Sequence, residues 1–234
     1  MLSGRLTIIG LGALAMCVSM ILRKKQFPDV AFWKMIVLNV WLTVTGVLGT
    51  MILAYIELGT FGGTSFYGAV FLVPILITPA MLMKIRYRDI LNLCAPAECA
   101  MLVVMRFDCI DKGCCFGKYL PELEFQFPSQ IAEMVVGVSI MAVLIWMLAK
   151  NRDAQLYPWY MILYGACRAV LQCFRYGGTN PWVLGLSPGH LWSLLSVIIG
   201  IAWLVLTKKK ENLDKKNSKG NANKNGNKRI KKKA

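Results

Sequence analysis

The chain has 234 residues, is 56% hydrophobic and only 17% charged, which excludes an ordinary soluble domain of this size. A formal net charge of +15 sits beside that apolarity because the basic residues are concentrated at one end. From Lys208 onward the sequence is mostly Lys, Asn and Gly, a composition that cannot bury a core.

A bilayer core of about 30 Å needs roughly 20 apolar residues per helix. In chain order the stretches of suitable length are Leu6–Leu22, Met35–Ile56, Thr64–Met83, Leu91–Met105, Gln130–Ala149, Tyr157–Phe174 and Gly189–Thr207. The fourth is short and carries Pro96 and Glu98, which read as interruptions. The expected fold class is therefore an all-α, polytopic membrane protein of about seven spans. Residues 1–207 form the membrane domain, and 208–234 a disordered basic cytoplasmic tail. That tail reads as a solvated topology signal, with no nucleic-acid role assigned to it.

The loops alternate in charge. Arg23, Lys24, Lys25 and Lys34 follow the first stretch, Lys84, Arg86 and Arg88 the third, Lys150 and Arg152 the fifth, and the Lys-rich tail the seventh. Basic loops stay in the cytoplasm. The tail is then cytoplasmic and the amino terminus outside. Only Arg5 precedes the first stretch and the basic cluster follows it, the reverse of a cleaved signal peptide.

Charged side chains inside a span are costly and mark function. Arg168 lies inside the sixth stretch, roughly 9 Å short of its outer end at about 1.5 Å per residue. Tyr164 precedes it by one turn on the same face, and Arg175 follows it on that face. Arg106 ends the fourth stretch and Glu133 begins the fifth. Three arginines and a glutamate at outer-leaflet level suit a phosphate headgroup, because a guanidinium fork binds phosphate oxygens in pairs.

Two outer loops are distinctive. Gly59 to Gly68 is glycine-rich and includes Gly63 and Tyr67; glycines let backbone N–H groups approach an anion. The second loop holds Cys109, Gly113, Cys114, Cys115 and Gly117. A disulfide from Cys109 to Cys114 or Cys115 is open. No metal site and no cofactor are read. The one histidine, His190, is in another loop, and the thiol spacing does not suit a zinc ribbon.

Several motifs, in order, resemble the prolipoprotein diacylglyceryl transferase family. Gly62-Gly63-Thr64-Ser65-Phe66-Tyr67-Gly68 is similar to G-G-x-S-F-H-G, and Asp89 to Pro96 to D-x-x-A-P. Arg106 to Lys118, R-F-D-C-I-D-K-G-C-C-F-G-K, aligns with R-x-G-N-F-x-N-G-E-x-x-G-R and more closely with a variant ending G-C-C-Y-G. Phe127 to Glu133 resembles H-P-S-Q-L-Y-E. Tyr164 to Arg168 with Gln172 and Arg175 resembles Y-G-x-x-R-x-x-x-E-x-x-R, and Leu186 to His190 resembles L-S-M-G-Q.

The resemblance implies transfer of a diacylglyceryl group from phosphatidylglycerol to the lipobox cysteine of a prolipoprotein signal peptide. The reaction takes place at the outer face of the bacterial cytoplasmic membrane. It implies phosphate-binding roles for Arg106 and Arg168, supported by Tyr164 and Glu133; the catalytic candidates are then Tyr67, Glu133 and Arg168, and the substrate-binding candidates Arg106, Arg168, Tyr164, Arg175, Gly63, Gly113 and Gly117. Tyr67 stands where the family has histidine, Cys109 where it has asparagine, Phe127 where it has histidine, Gln172 where it has an acid, and Ile9 where it has tyrosine. A neutral tyrosine is a poor base at neutral pH, so a non-catalytic phospholipid-binding paralogue is the alternative. A thiol oxidoreductase built on the loop cysteines lacks a C-x-x-C pair.

Overall fold

A computed structural model of the chain describes residues 17–18, 20–22, 30–59, 64–151, 153–175 and 186–231. The elements are α1 (Phe32–Leu58), α2 (Phe66–Leu76), a 3-10 helix (Thr78–Met83) and α3 (Tyr87–Asp111). A small hairpin of β1 (Tyr119–Leu120) and β2 (Phe125–Gln126) follows, then α4 (Ser129–Lys150), α5 (Leu156–Cys173) and α6 (Pro188–Lys231). Side chains of α6 are described through Leu213.

Among the described residues four helices are long and apolar enough to cross a bilayer: Phe32–Leu58, Tyr87–Asp111, Ser129–Lys150 and Pro188–Leu213. The expected third span divides into the 11 residues of α2 and the 6 of the 3-10 helix. Together these reach about 28 Å at about 1.5 and 2.0 Å per residue. The 18 residues of α5 reach about 27 Å. Most of the expected first span lies outside the described residues. Leu206, Val135, Trp146 and Ile56 are each more than half exposed, as lipid-facing side chains are.

The fourth expected stretch is corrected most. Pro96 and Glu98 do not interrupt it, because α3 is one helix from Tyr87 to Asp111. Every residue from Asp89 to Leu102 is buried, Asp89, Asn92 and Glu98 included, so α3 is the central element. Buried Glu98 accepts a hydrogen bond from the Tyr157 hydroxyl at 3.0 Å. That same hydroxyl lies 3.0 Å from the Val70 carbonyl. Pro74, inside α2, has no N–H to offer the carbonyl four residues earlier, so the one Tyr157 proton is shared between Glu98 and the group that Pro74 leaves open. Asn92 of α3 holds the start of α5 from both sides, donating to Ala154 O at 2.8 Å and accepting from Leu156 N at 3.0 Å.

Helix pairing is α1 on α2, α3 on α4, α4 on α5 and α5 on α6. At the α1–α2 crossing the backbones touch. A Cβ placed on Gly68 would stand 1.9 Å from the Gly49 carbonyl oxygen, so neither position admits a side chain. The last helix runs past Thr207, the boundary expected from composition, since no proline follows Pro188 to end it.

Candidate functional site

The site lies at the end of the bundle where α3 and α5 finish and α4 and α6 begin. Glu133, in the second turn of α4, is its centre. Its carboxylate meets Arg106 of α3 at 2.5 Å, Arg168 of α5 at 2.8 Å and Arg175, just beyond α5, at 3.8 Å. The Glu133 side chain is 3% exposed, Arg106 8%, Arg168 9% and Arg175 22%. Three guanidinium groups against one carboxylate leave two positive charges in a largely dry site. Burying them is costly unless an anion completes the balance.

The loop after α3 is built onto this cluster by the Pro-Ser-Gln motif. Ser129 Oγ donates to the Cys115 carbonyl at 2.5 Å and Gln130 Nε2 to the Cys114 carbonyl at 2.6 Å. Gly113 and Cys115 have left-handed φ values of 60° and 64°, which bend the chain sharply around the thiols. Gly117 pairs with Arg175 as an isolated antiparallel bridge, and Lys118 N donates to Phe174 O at 2.7 Å. A Cβ on Gly117 would sit 2.2 Å from the Phe127 carbonyl oxygen, so that position requires glycine. Phe127 packs on Phe174 with ring centroids 5.1 Å apart.

Cys109, in the last turn of α3, accepts a weak bond from Arg106 Nη1 at 3.6 Å. The Cys115 thiol is held well below the ordinary thiol range, chiefly by a hydrogen bond from Cys109, with Arg175 and Arg106 acting in the same direction and burial opposing. Cys114 moves the other way, raised by burial and by its neighbour Cys115.

Tyr67 is buried in the first turn of α2, within electrostatic reach of Arg168 and Glu133. Its hydroxyl is 2.6 Å from Ser193 Oγ. Ser193 uses its own proton on the Gly189 carbonyl at 2.6 Å, so Tyr67 is the donor in that pair. Tyr164 joins the two halves, its ring 5.3 Å from those of Tyr67 and of Phe66.

The structure thus gathers Arg106, Arg168, Arg175, Glu133, Tyr164, Gly113 and Gly117 at one end of the bundle, with Tyr67 one ring contact away. Gly63 lies outside the described residues. Sequence reasoning missed Ser193, which fixes the direction of Tyr67's hydrogen bond, and the role of Ser129 and Gln130 in holding the cysteine turn. Gln172, named from the sequence only as standing where the family has an acid, donates from Nε2 to Ser187 Oγ at 3.3 Å while Ser187 pairs with His190 Nδ1 at 2.9 Å. The Pro-Ser-Gln string was visible in the sequence. The Ser193 contact, spanning 126 residues, carries no local signal.

The family model described as prolipoprotein diacylglyceryl transferase matches residues 4–206. None of the curated proteins compared with the chain matches it.

Proposed function

The chain belongs to the prolipoprotein diacylglyceryl transferase family, and on that premise we propose that it moves a diacylglyceryl group from phosphatidylglycerol to the lipobox cysteine of a prolipoprotein. The reaction is placed at the outer face of the bacterial cytoplasmic membrane, with seven spans, the amino terminus outside and the carboxyl terminus in the cytoplasm. The observation that carries this reading is the trio Arg106, Arg168 and Arg175 on Glu133. Its two surplus positive charges suit a lipid phosphate, which takes one and leaves one.

In the reaction the acceptor thiolate attacks the glyceryl carbon that bears the phosphate. A C–S bond forms, the C–O bond breaks, and the electron pair leaves on glycerol phosphate. Negative charge grows on the departing phosphate, where fixed guanidinium groups lower the barrier most. The same positive field favours the thiolate over the thiol, and the thiol proton passes to water. Glu133 is engaged by its arginines and Tyr67 donates to Ser193, so both act in this scheme by positioning. Glu133 holds the guanidinium groups and Tyr67 shapes the wall beside Tyr164.

A non-catalytic phospholipid-binding paralogue is the second reading. The burial of Tyr67 and the commitment of its proton to Ser193 favour it, because no freed base then stands where the family has histidine. Complementation separates the two readings. In a strain depleted of its own transferase, the chain restores growth and adds a diacylglyceryl mass to a reporter lipoprotein if it is an enzyme. A correctly inserted chain that adds no such mass leaves only the lipid-binding role.

A further inference from the structure

We infer that Cys109, Cys114 and Cys115 form a binding site for a thiophilic d10 cation of the zinc class, held by three thiolate sulfurs. The site is not part of the transfer reaction derived above. The spacing of these cysteines in sequence does not suit a zinc ribbon, but the fold brings the three sulfurs together. Their three Sγ atoms lie within 4.8 Å of one another, and all three cysteines are free.

The geometry suits one ion. Zinc–sulfur bonds of about 2.3 Å put tetrahedral ligand sulfurs about 3.8 Å apart, so little closure is needed. The scaffold is held on each side. Cys109 is fixed by the last turn of α3, and Cys114 N donates to the Cys109 carbonyl at 3.0 Å. The carbonyls of Cys114 and Cys115 are gripped by Gln130 and Ser129 of α4. Cys115 adopts a φ of 64°, a conformation a non-glycine residue keeps only where its surroundings enforce it.

The charge balance also fits. Three thiolates and a divalent cation sum to one negative charge, and Arg106, 3.6 Å from Cys109 Sγ, stands beside it. Loading releases protons, since the ligating form of cysteine is the thiolate. Three protein ligands leave a fourth position for water or a small thiol. Among the described residues the other five cysteines do not join the group: Cys94 and Cys99 are buried in the middle of α3, Cys167 lies within α5, Cys173 Sγ faces His190 Nε2 at 3.7 Å, and Cys17 is exposed.

The test uses the full-length protein in detergent, reduced with a phosphine and stripped of metal. Cobalt(II) added without oxygen should give sulfur-to-cobalt charge-transfer absorption that saturates at one ion per chain and disappears when zinc(II) is added. The combined variant Cys109→Ser, Cys114→Ser, Cys115→Ser should lose the band entirely. A variant with Cys17→Ser and Cys173→Ser should keep it. A measurement on the unaltered chain removes any dependence on variant folding. Zinc(II) should protect Cys109, Cys114 and Cys115 from iodoacetamide, read by mass spectrometry, while Cys17 and Cys173 still label. Absence of the band, unchanged labelling of the three cysteines with zinc(II), or a disulfide among them that takes up no metal after reduction would overturn the site.

Discussion

Replacing Glu133 with glutamine separates a residue that holds arginines from one that removes a proton. In Glu133→Gln the side chain keeps its shape but loses the charge that meets Arg106 at 2.5 Å, Arg168 at 2.8 Å and Arg175 at 3.8 Å. Deleting one partner of a buried ion pair costs about 3–5 kcal/mol, against total stabilities of roughly 5–15 kcal/mol. The variant therefore folds, with a melting temperature lower by roughly 6–20 °C for a chain of this length. An anion that enters the cluster restores what the carboxylate supplied. Phosphatidylglycerol at about one hundred times its dissociation constant returns about 2.7 kcal/mol, while phosphatidylcholine, without net charge, returns little. The assay is a thermal melt of tryptophan fluorescence in micelles doped with each lipid. The reasoning fails if Glu133→Gln melts with the unaltered protein, or if the two lipids stabilise the variant equally.

The remaining expectations concern single positions and the chain's orientation. Arg168→Lys keeps the charge but loses the fork, and one charge-assisted hydrogen bond is worth about 1.5–3 kcal/mol. Phosphatidylglycerol binding or transfer should fall by roughly ten- to a hundredfold, and retention of full activity would remove the phosphate role. Tyr67→Phe should cost turnover about tenfold at most, the size of one neutral hydrogen bond, whereas a drop of roughly 10²–10⁴ would make Tyr67 an acid–base group. Tyr67→His should raise transfer if the lost histidine is what limits the chain; no change in transfer would show that something else does. Gly68→Ala drives a methyl group into the Gly49 carbonyl and should leave little folded protein in gel filtration, a forecast that a normal elution profile would refute. With exposed thiols blocked, cysteines introduced at Lys112 and Lys150 should label from outside and inside respectively, and labelling of both from one side would undo the proposed topology.

The charged residues were legible in the sequence because an arginine or glutamate in an apolar helix has few cheap places to go. Arg106, Glu133 and Arg168 come from three different helices, yet each was marked by its cost alone. The boundaries of α3 were not legible for the opposite reason. Pro96 and Glu98 look like breaks until Tyr157, 59 residues away, is seen to satisfy the carboxylate. Tyr67 reads as part of a glycine-rich outer loop, and only the structure shows it in the first turn of α2 with its proton committed to Ser193. The thiols were set aside because spacing along the chain was judged instead of distance in space, which the turn at Gly113 and Cys115 shortens.

Arg175 belongs to two systems at once. Its backbone bridges Gly117 and its guanidinium reaches toward Glu133. The loop after α3 is thereby latched to the end of α5 by the residue that also supplies part of the positive charge. A bulky peptide that prised this latch open would drag the guanidinium with it and loosen the hold on an anion. One residue thus ties the position of the loop to the charge of the cluster, so a change at Gly117 that opens the bridge also disturbs a guanidinium facing Glu133.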